Sequence, residues 1–169
     1  MKKTIIFALL VIGTFFVFPT KSNTMFIDRV TYDEEEKLCL AKNIYYEARG
    51  SILADQAAVS DVVLNRVKDP RYPNTICGVV TQGKKHSNGN MILHKCQFSW
   101  YCDGKSDEPK NALLWQKSKA LAKMILDDYR FRGISQGATH YHAHYVNPKW
   151  ADELQKVGRI GVHRYYKWN

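Results

Sequence analysis

Glu47 lies within Asn43-Ile44-Tyr45-Tyr46-Glu47-Ala48-Arg49-Gly50, a carboxylate set between aromatic and apolar neighbours near the end of a helical pattern. Such surroundings disfavour the charged form and raise the pKa, so that the group keeps a proton near neutral pH and can act as a general acid. The ordinary alternative for this residue type is a solvated helix face. Gln97-Phe98-Ser99-Trp100 stands between Cys96 and Cys102. A disulfide there would pin a loop offering Phe98, Trp100 and Tyr101 as flat apolar faces, on which sugar rings stack while polar groups between them meet hydroxyls. The competing expectation is that these aromatics fill the core beneath the loop. The run His140-Tyr141-His142-Ala143-His144-Tyr145 is the rival signal. On a strand His140, His142 and His144 would share one face and Tyr141 and Tyr145 the other, which suits a zinc site completed by His86, His94 or His163 with Asp103 or Asp107. The chain has no H-E-x-x-H helix, no G-x-S-x-G elbow and no P-loop.

These groups need elements to position them. Thr31 with Glu34 reads as a capping box, and the acidic run Asp33 to Glu36 suits a helix N-terminus. Leu38, Ala41, Ile44, Tyr45 and Ala48 then fall on one helical face, Gly50 supplies the stop, and Glu47 lies at the stripe's margin beside Leu40 and Asn43. A second helix, from about Ala54 to Val67, has little polar face and is expected to be buried, with Asp61 and Asn65 as polar interruptions. Residues 69–108 read as a long irregular segment. Asp107 and Pro109 resemble an N-cap and an early helical proline ahead of a helix with Leu113, Leu114, Lys117, Leu121, Met124 and Ile125 that ends before Gly133. Thr139 to Val146 alternates as a strand does, and Arg159 to Trp168 is a further short strand or extended tail. No internal repeat or low-complexity tract is present.

The chain has 169 residues and opens with Met1-Lys2-Lys3 ahead of an apolar run from Ile5 to Phe18. That pattern fits an export leader over residues 1–22, or an uncleaved anchor that touches a membrane through residues 4–18 alone. A short lead over 23–35 and a single domain over 36–169 follow, long enough for one core. The formal charge of +9 is uneven: residues 23–60 hold four basic and seven acidic groups, residues 61–169 hold 18 and nine. A basic exported surface suits an anionic partner such as a cell-wall polymer. Nucleic acid is disfavoured by export and by the cysteine content. Cys39, Cys77, Cys96 and Cys102 make an even count, which in an exported chain indicates two disulfides in one of three pairings; a structural zinc is the alternative.

The motifs, taken in order, resemble the SleB-type cell wall hydrolase family of spore-cortex-lytic enzymes and their bacterial and phage relatives. The resemblance rests on Leu38-Cys39-Leu40-Ala41, Ile44 to Gly50, Ala58-Val59 with Val62 to Val67, Pro73 to Val80, Cys96 to Trp100, Ala138 to His142, and Ile160-Gly161-Val162-His163. It covers about residues 36–168. The family pattern commonly has an acidic residue where this chain has Ser51 and a glycine where it has Asp55. The resemblance implies an α+β, mainly helical, lysozyme-like catalytic domain with a small β element, acting on peptidoglycan glycan strands as a lytic transglycosylase without a cofactor. It carries the catalytic acid and base onto Glu47, and it extends to a phage lysis enzyme (an endolysin). Position within the motifs and side-chain type make Gln97, Ser99, Trp100, Tyr141 and His142 the expected glycan-positioning residues. An ordinary hydrolase would need a partner carboxylate, for which Asp61 and Asp103 are the candidates. A zinc peptidase cutting stem peptides and a non-enzymatic wall-binding protein are the readings from other classes. The expected location is the periplasm, the cell envelope or the exterior.

Overall fold

Three glutamates open the first helix, where negative charge meets the positive end of the helix dipole. The computed structural model describes residues 31–169, so the expected leader or anchor over 1–22 and most of the expected lead over 23–35 lie outside the described residues. Helix α1 (Glu34–Ala48) is capped by Asp33, whose side chain accepts from Glu36 N at 2.8 Å. The expected Thr31 box is thus displaced by two residues. Gly50 has no left-handed backbone, and the helix ends instead in a turn closed by Ser51 N on Ala48 O. The buried face runs through Leu40, Ala41, Asn43, Ile44, Tyr45 and Ala48, whereas Leu38, expected among them, is 44% exposed.

Helix α2 (Leu53–Lys68) explains its own apolar composition, because it is covered on two sides. Val63 and Leu64 join Leu40, Ile44, Ile76, Val79, Phe98, Trp100, Leu121 and Ile125 in the larger core, while Ala58 and Val62 join Ala138 and Tyr165 in a smaller one. The segment expected to be irregular holds a short helix α3 (Ile76–Val80), a hairpin of β1 (Gly83–Lys85) and β2 (Met91–Cys96), and a 3-10 turn over Ser99–Cys102. Their shortness and the largely exposed β2 explain why no periodicity announced them. Helix α4 (Ala112–Leu126) packs on α1 and is capped by Asn111, which accepts from Leu114 N at 3.0 Å; Asp107 lies five residues short of the helix.

The histidine run forms β3 (His140–Ala143), shorter than expected, with His144 and Tyr145 beyond its end. The tail is a hairpin of β4 (Gln155–Ile160) and β5 (His163–Lys167), preceded by a 3-10 turn over Lys149–Glu153. The sheet order is β3-β5-β4, antiparallel throughout, with His142 opposite Arg164 and Ala143 opposite His163. Among the described residues no helix is long and apolar enough to cross a membrane.

Both disulfides are formed, Cys39–Cys77 between α1 and α3 and Cys96–Cys102 around the Gln97–Trp100 loop. Their sequence separations are 38 and 6 residues. In the loop-entropy treatment these closures are worth about 4 and about 2 kcal/mol. Replacing Cys39 and Cys77 by serine is therefore expected to lower the unfolding free energy more than the same change at Cys96 and Cys102, read from urea unfolding curves at a common pH.

Candidate active site

Glu47 comes from the last turn of α1, half-buried at the edge of the apolar stripe. It lines a cleft of about 290 Å³ with Arg66 of α2, Gln97, Phe98 and Ser99 of the disulfide loop, Tyr141, His142 and Ala143 of β3, and His163 of β5. Four of the five expected positioning residues, Gln97, Ser99, Tyr141 and His142, therefore meet at Glu47. Tyr141 Oη donates to Glu47 Oε2 at 3.0 Å. His142 is buried, with Nδ1 against Ala143 O and Nε2 against Tyr166 Oη at 3.0 Å.

Trp100 does not line this cleft. It is 8% exposed, its Nε1 donates to Asn43 Oδ1 at 3.3 Å, and its ring stacks on Tyr46 at 4.7 Å. Phe98 is buried as well, so these aromatics largely fill the core beneath the loop. Trp100 and Tyr46 instead line a second cavity of about 410 Å³, together with Arg49, Asp103, Lys105, Asp107, Glu108 and Lys110.

Burial pushes the Glu47 carboxyl above its ordinary range, against the opposing pull of the Tyr141 hydrogen bond, of the nearby His163 imidazole and of the Arg66 guanidinium. Tyr141 is itself pushed well up by burial and by Glu47, so it stays protonated and remains a donor. Arg66 is 5% exposed; its Nε donates to Thr139 O at 2.7 Å and its guanidinium lies 5.3 Å from the Tyr72 ring and 5.2 Å from that of Phe98. Its Nη1 is buried with no hydrogen-bond partner among the described residues.

The other carboxylates named from the sequence are held elsewhere. Asp61 accepts from Gly133 N, Ser135 N and Ser135 Oγ, and Asp103 lines the second cavity, paired with Lys105 at 3.5 Å. Asp55 was not singled out as a functional group by sequence reasoning. It is fully buried and accepts from Ser51 Oγ, Val162 N, His163 Nδ1 and Tyr165 Oη. Burial would raise it, but the hydrogen bonds from His163, Ser51 and Tyr165 outweigh burial and hold it below the ordinary range. The signal that could have revealed it is a carboxylate in an otherwise apolar helix, with Gly161-Val162-His163 far downstream.

The histidines disperse. His140 and His142 share a face, both against Trp150, as strand alternation required. His140, however, bonds to Thr139, and His144 to Val162 O. His163 turns toward Asp55. Among the described residues no three His, Cys, Asp or Glu side chains are grouped as a metal site.

Tyr141→Phe removes a donor that favours ionised Glu47, so the Glu47 titration is expected to move upward. A hydrogen bond to a charged group is worth about 1.5–3 kcal/mol. The carboxyl carbon shift of Glu47 followed against pH by NMR measures the change.

A family model described as Cell Wall Hydrolase matches residues 50–166. The match begins three residues after Glu47, whose place at the site rests on the cleft geometry. The spore cortex-lytic enzyme of Bacillus subtilis (strain 168) is 44% identical over 125 residues, 73% of this chain and 35% of its own length. That of Bacillus cereus is 39% identical over 137 residues, 80% of this chain and 46% of its own. The chain thus spans between a third and a half of these relatives. The catalytic domain of the germination-specific lytic transglycosylase SleB from Bacillus anthracis superposes with a TM-score of 0.59 at 24% identity, over 80% of this chain and 97% of that one. The catalytic domain of Bacillus cereus SleB gives 0.59 at 22% identity, over 82% and 94%. The fold is accordingly an α+β, mainly helical, lysozyme-like one, and the chain belongs to the cell wall hydrolase family.

Proposed function

We propose that this chain is a peptidoglycan-degrading enzyme that cleaves the bond between N-acetylmuramic acid and N-acetylglucosamine as a lytic transglycosylase. The observation that carries the reading is the cleft itself: its lining holds one carboxylate, Glu47, kept protonatable by burial. The likeness to spore cortex-lytic enzymes and to the catalytic domain of a germination-specific lytic transglycosylase supports the same reaction class. Protonated Glu47 gives its proton to the bridging oxygen, the C1–O bond breaks, and positive charge develops at C1. The 6-hydroxyl of the same muramic acid closes on C1, leaving a 1,6-anhydro end, and the cycle ends with the hydroxyl's proton back on Glu47. No water nucleophile enters. A two-carboxylate hydrolase would place a second carboxyl about 5–5.5 Å or 6.5–9.5 Å from the first, and the positions of Asp61 and Asp103 do not favour it. Tyr141 steers Glu47, and Gln97, Ser99 and His142 offer polar contacts to the glycan. Trp100 serves the second cavity, where further sugars of the strand would lie.

The setting is exported, at the envelope or outside the cell, with residues 1–22 as leader or anchor and the catalytic unit over 36–169. The excess of basic residues beyond residue 60 would hold the protein on an anionic wall.

Mass spectrometry of peptidoglycan digested by the chain is expected to show 1,6-anhydro-muramic ends. Glu47→Gln should reduce them at least about 10³-fold, the upper part of what one acid–base group supplies, and a chelator should leave them unchanged. Reducing ends would indicate a hydrolase, and chelator-sensitive cuts in stem peptides would move the chemistry to the histidines. Retention on wall sacculi should fall as salt rises from low to about 0.5 M, since screening shortens the reach of surface charge. A flat binding curve would rule out charge as the anchor.

A further inference from the structure

The single-glutamate reading leaves one well-built group unused. Asp55, fully buried in the first turn of α2, accepts from four donors, and one of them is His163 Nδ1, at 3.0 Å from Oδ1 and 3.1 Å from Oδ2. The backbone is shaped for this contact. Gly161 has φ +56°, and a Cβ there would sit 2.7 Å from both Asp55 Cβ and Oδ2, so only glycine admits the carboxylate. Ser51 donates to the same carboxylate. The two positions at which the chain departs from the family pattern therefore meet in one hydrogen bond.

An ionised carboxylate only accepts, so the proton of neutral His163 resides on Nδ1 and the lone pair on Nε2. Nε2 has no hydrogen-bond partner among the described residues, and His163 lines the Glu47 cleft with its ring 4.9 Å from that of Tyr141. An imidazole that lines the cleft, fixed by a buried carboxylate and with one nitrogen free of hydrogen bonds, is the arrangement in which a base gains a proton and the carboxylate stabilises the resulting cation.

We infer that His163, oriented by Asp55, is a second catalytic residue that takes the proton of the attacking hydroxyl at Nε2. The inference rests on the glycan-cleaving reading and supplies its middle step. Glu47 protonates the bridging oxygen as C1–O breaks; the O6–C1 bond forms as the O6 proton moves to Nε2; the imidazolium then returns that proton to the Glu47 carboxylate in the same cleft. Protons balance, and both groups end as they began. Asp55 is a positioning residue in this scheme. The charged and titratable groups that touch His163 or share its cleft are Asp55 and Arg66 from α2, Glu47 from α1, Tyr141 and His142 from β3, and Tyr165 on its own strand.

The test is initial-rate kinetics of anhydro-end release from soluble glycan strands across pH, with wild type, Glu47→Gln, Asp55→Asn, His163→Asn and His163→Gln. Asparagine keeps a donor near Nδ1 for Asp55, and glutamine keeps a polar atom near Nε2; neither can accept a proton. Both His163 variants are expected to fold, by near-UV circular dichroism, and to lose kcat by about 10²-fold with KM little changed. They should also lose the acid limb of the wild-type kcat profile, which a merely structural histidine would not produce. Asp55→Asn should lower kcat in the same direction by less. Folded His163 variants with wild-type kcat and an unchanged acid limb overturn the inference. Should both misfold, the wild-type profile decides: an acid limb in histidine's range supports a base at His163, and a profile with an alkaline limb alone overturns it. An active Glu47→Gln would instead remove the glycan reading itself.

Discussion

A helix covered on two sides must find partners within the protein for most of the polar side chains it buries, and α2 is such a helix. An unpaired buried polar group costs about 1–3 kcal/mol, more when charged. Asp55, Asp61, Asn65 and Arg66 therefore do more than interrupt an apolar pattern. Asp61 holds the turn at Gly133 and Ser135, Asn65 reaches Ser135 Oγ and Ala138 O, Arg66 reaches Thr139 O, and Asp55 gathers Val162, His163 and Tyr165. Each of these bonds spans 70 residues or more of sequence. Together they dock the segment from Gly133 to the β4–β5 hairpin onto the helical half. The cleft is the seam between the two.

The seam shifts two carboxylates in opposite directions by environment alone. Glu47 meets one hydroxyl donor and is otherwise taken out of water, so burial prevails and its proton affinity rises. Asp55 is buried more completely but receives four donors, so hydrogen bonding prevails and it stays ionised. Desolvation and hydrogen bonding push a carboxyl in opposite directions, and the count of donors decides between them. Glu47 thus lines the cleft, while the fixed negative charge of Asp55 reaches that cleft through its bond to His163.

The disulfides act on different parts of this arrangement. Cys39–Cys77 fastens α3 to α1, the helix that carries Glu47, where Glu36 also accepts from Ile76 N at 2.6 Å and Cys77 N at 3.2 Å. Cys96–Cys102 closes the loop that brings Gln97 and Ser99 to the cleft rim while Phe98 and Trp100 point inward. Alternation within that loop divides it between cleft rim and core.

The periodicity of the chain by itself determined α1, α2 and α4, the burial of α2 and the strand at His140, because a repeat of 3.6 or 2 is a local property of the residues. The even cysteine count pointed to bridges, and the context of Glu47 marked it as the candidate acid. Caps were legible only to within a few residues, since Asp33 and Asn111 compete with Thr31 and Asp107 through geometry at single positions. What tertiary structure decided was pairing: which cysteines join, that Trp100 serves Asn43 and Tyr46 instead of the cleft, that the three histidines of the run take separate hydrogen-bond partners, and that Asp55 and His163, 108 residues apart, share a hydrogen bond. None of these has a local signature, because a hydrogen bond or disulfide between distant residues depends on where packing of the apolar faces leaves each side chain.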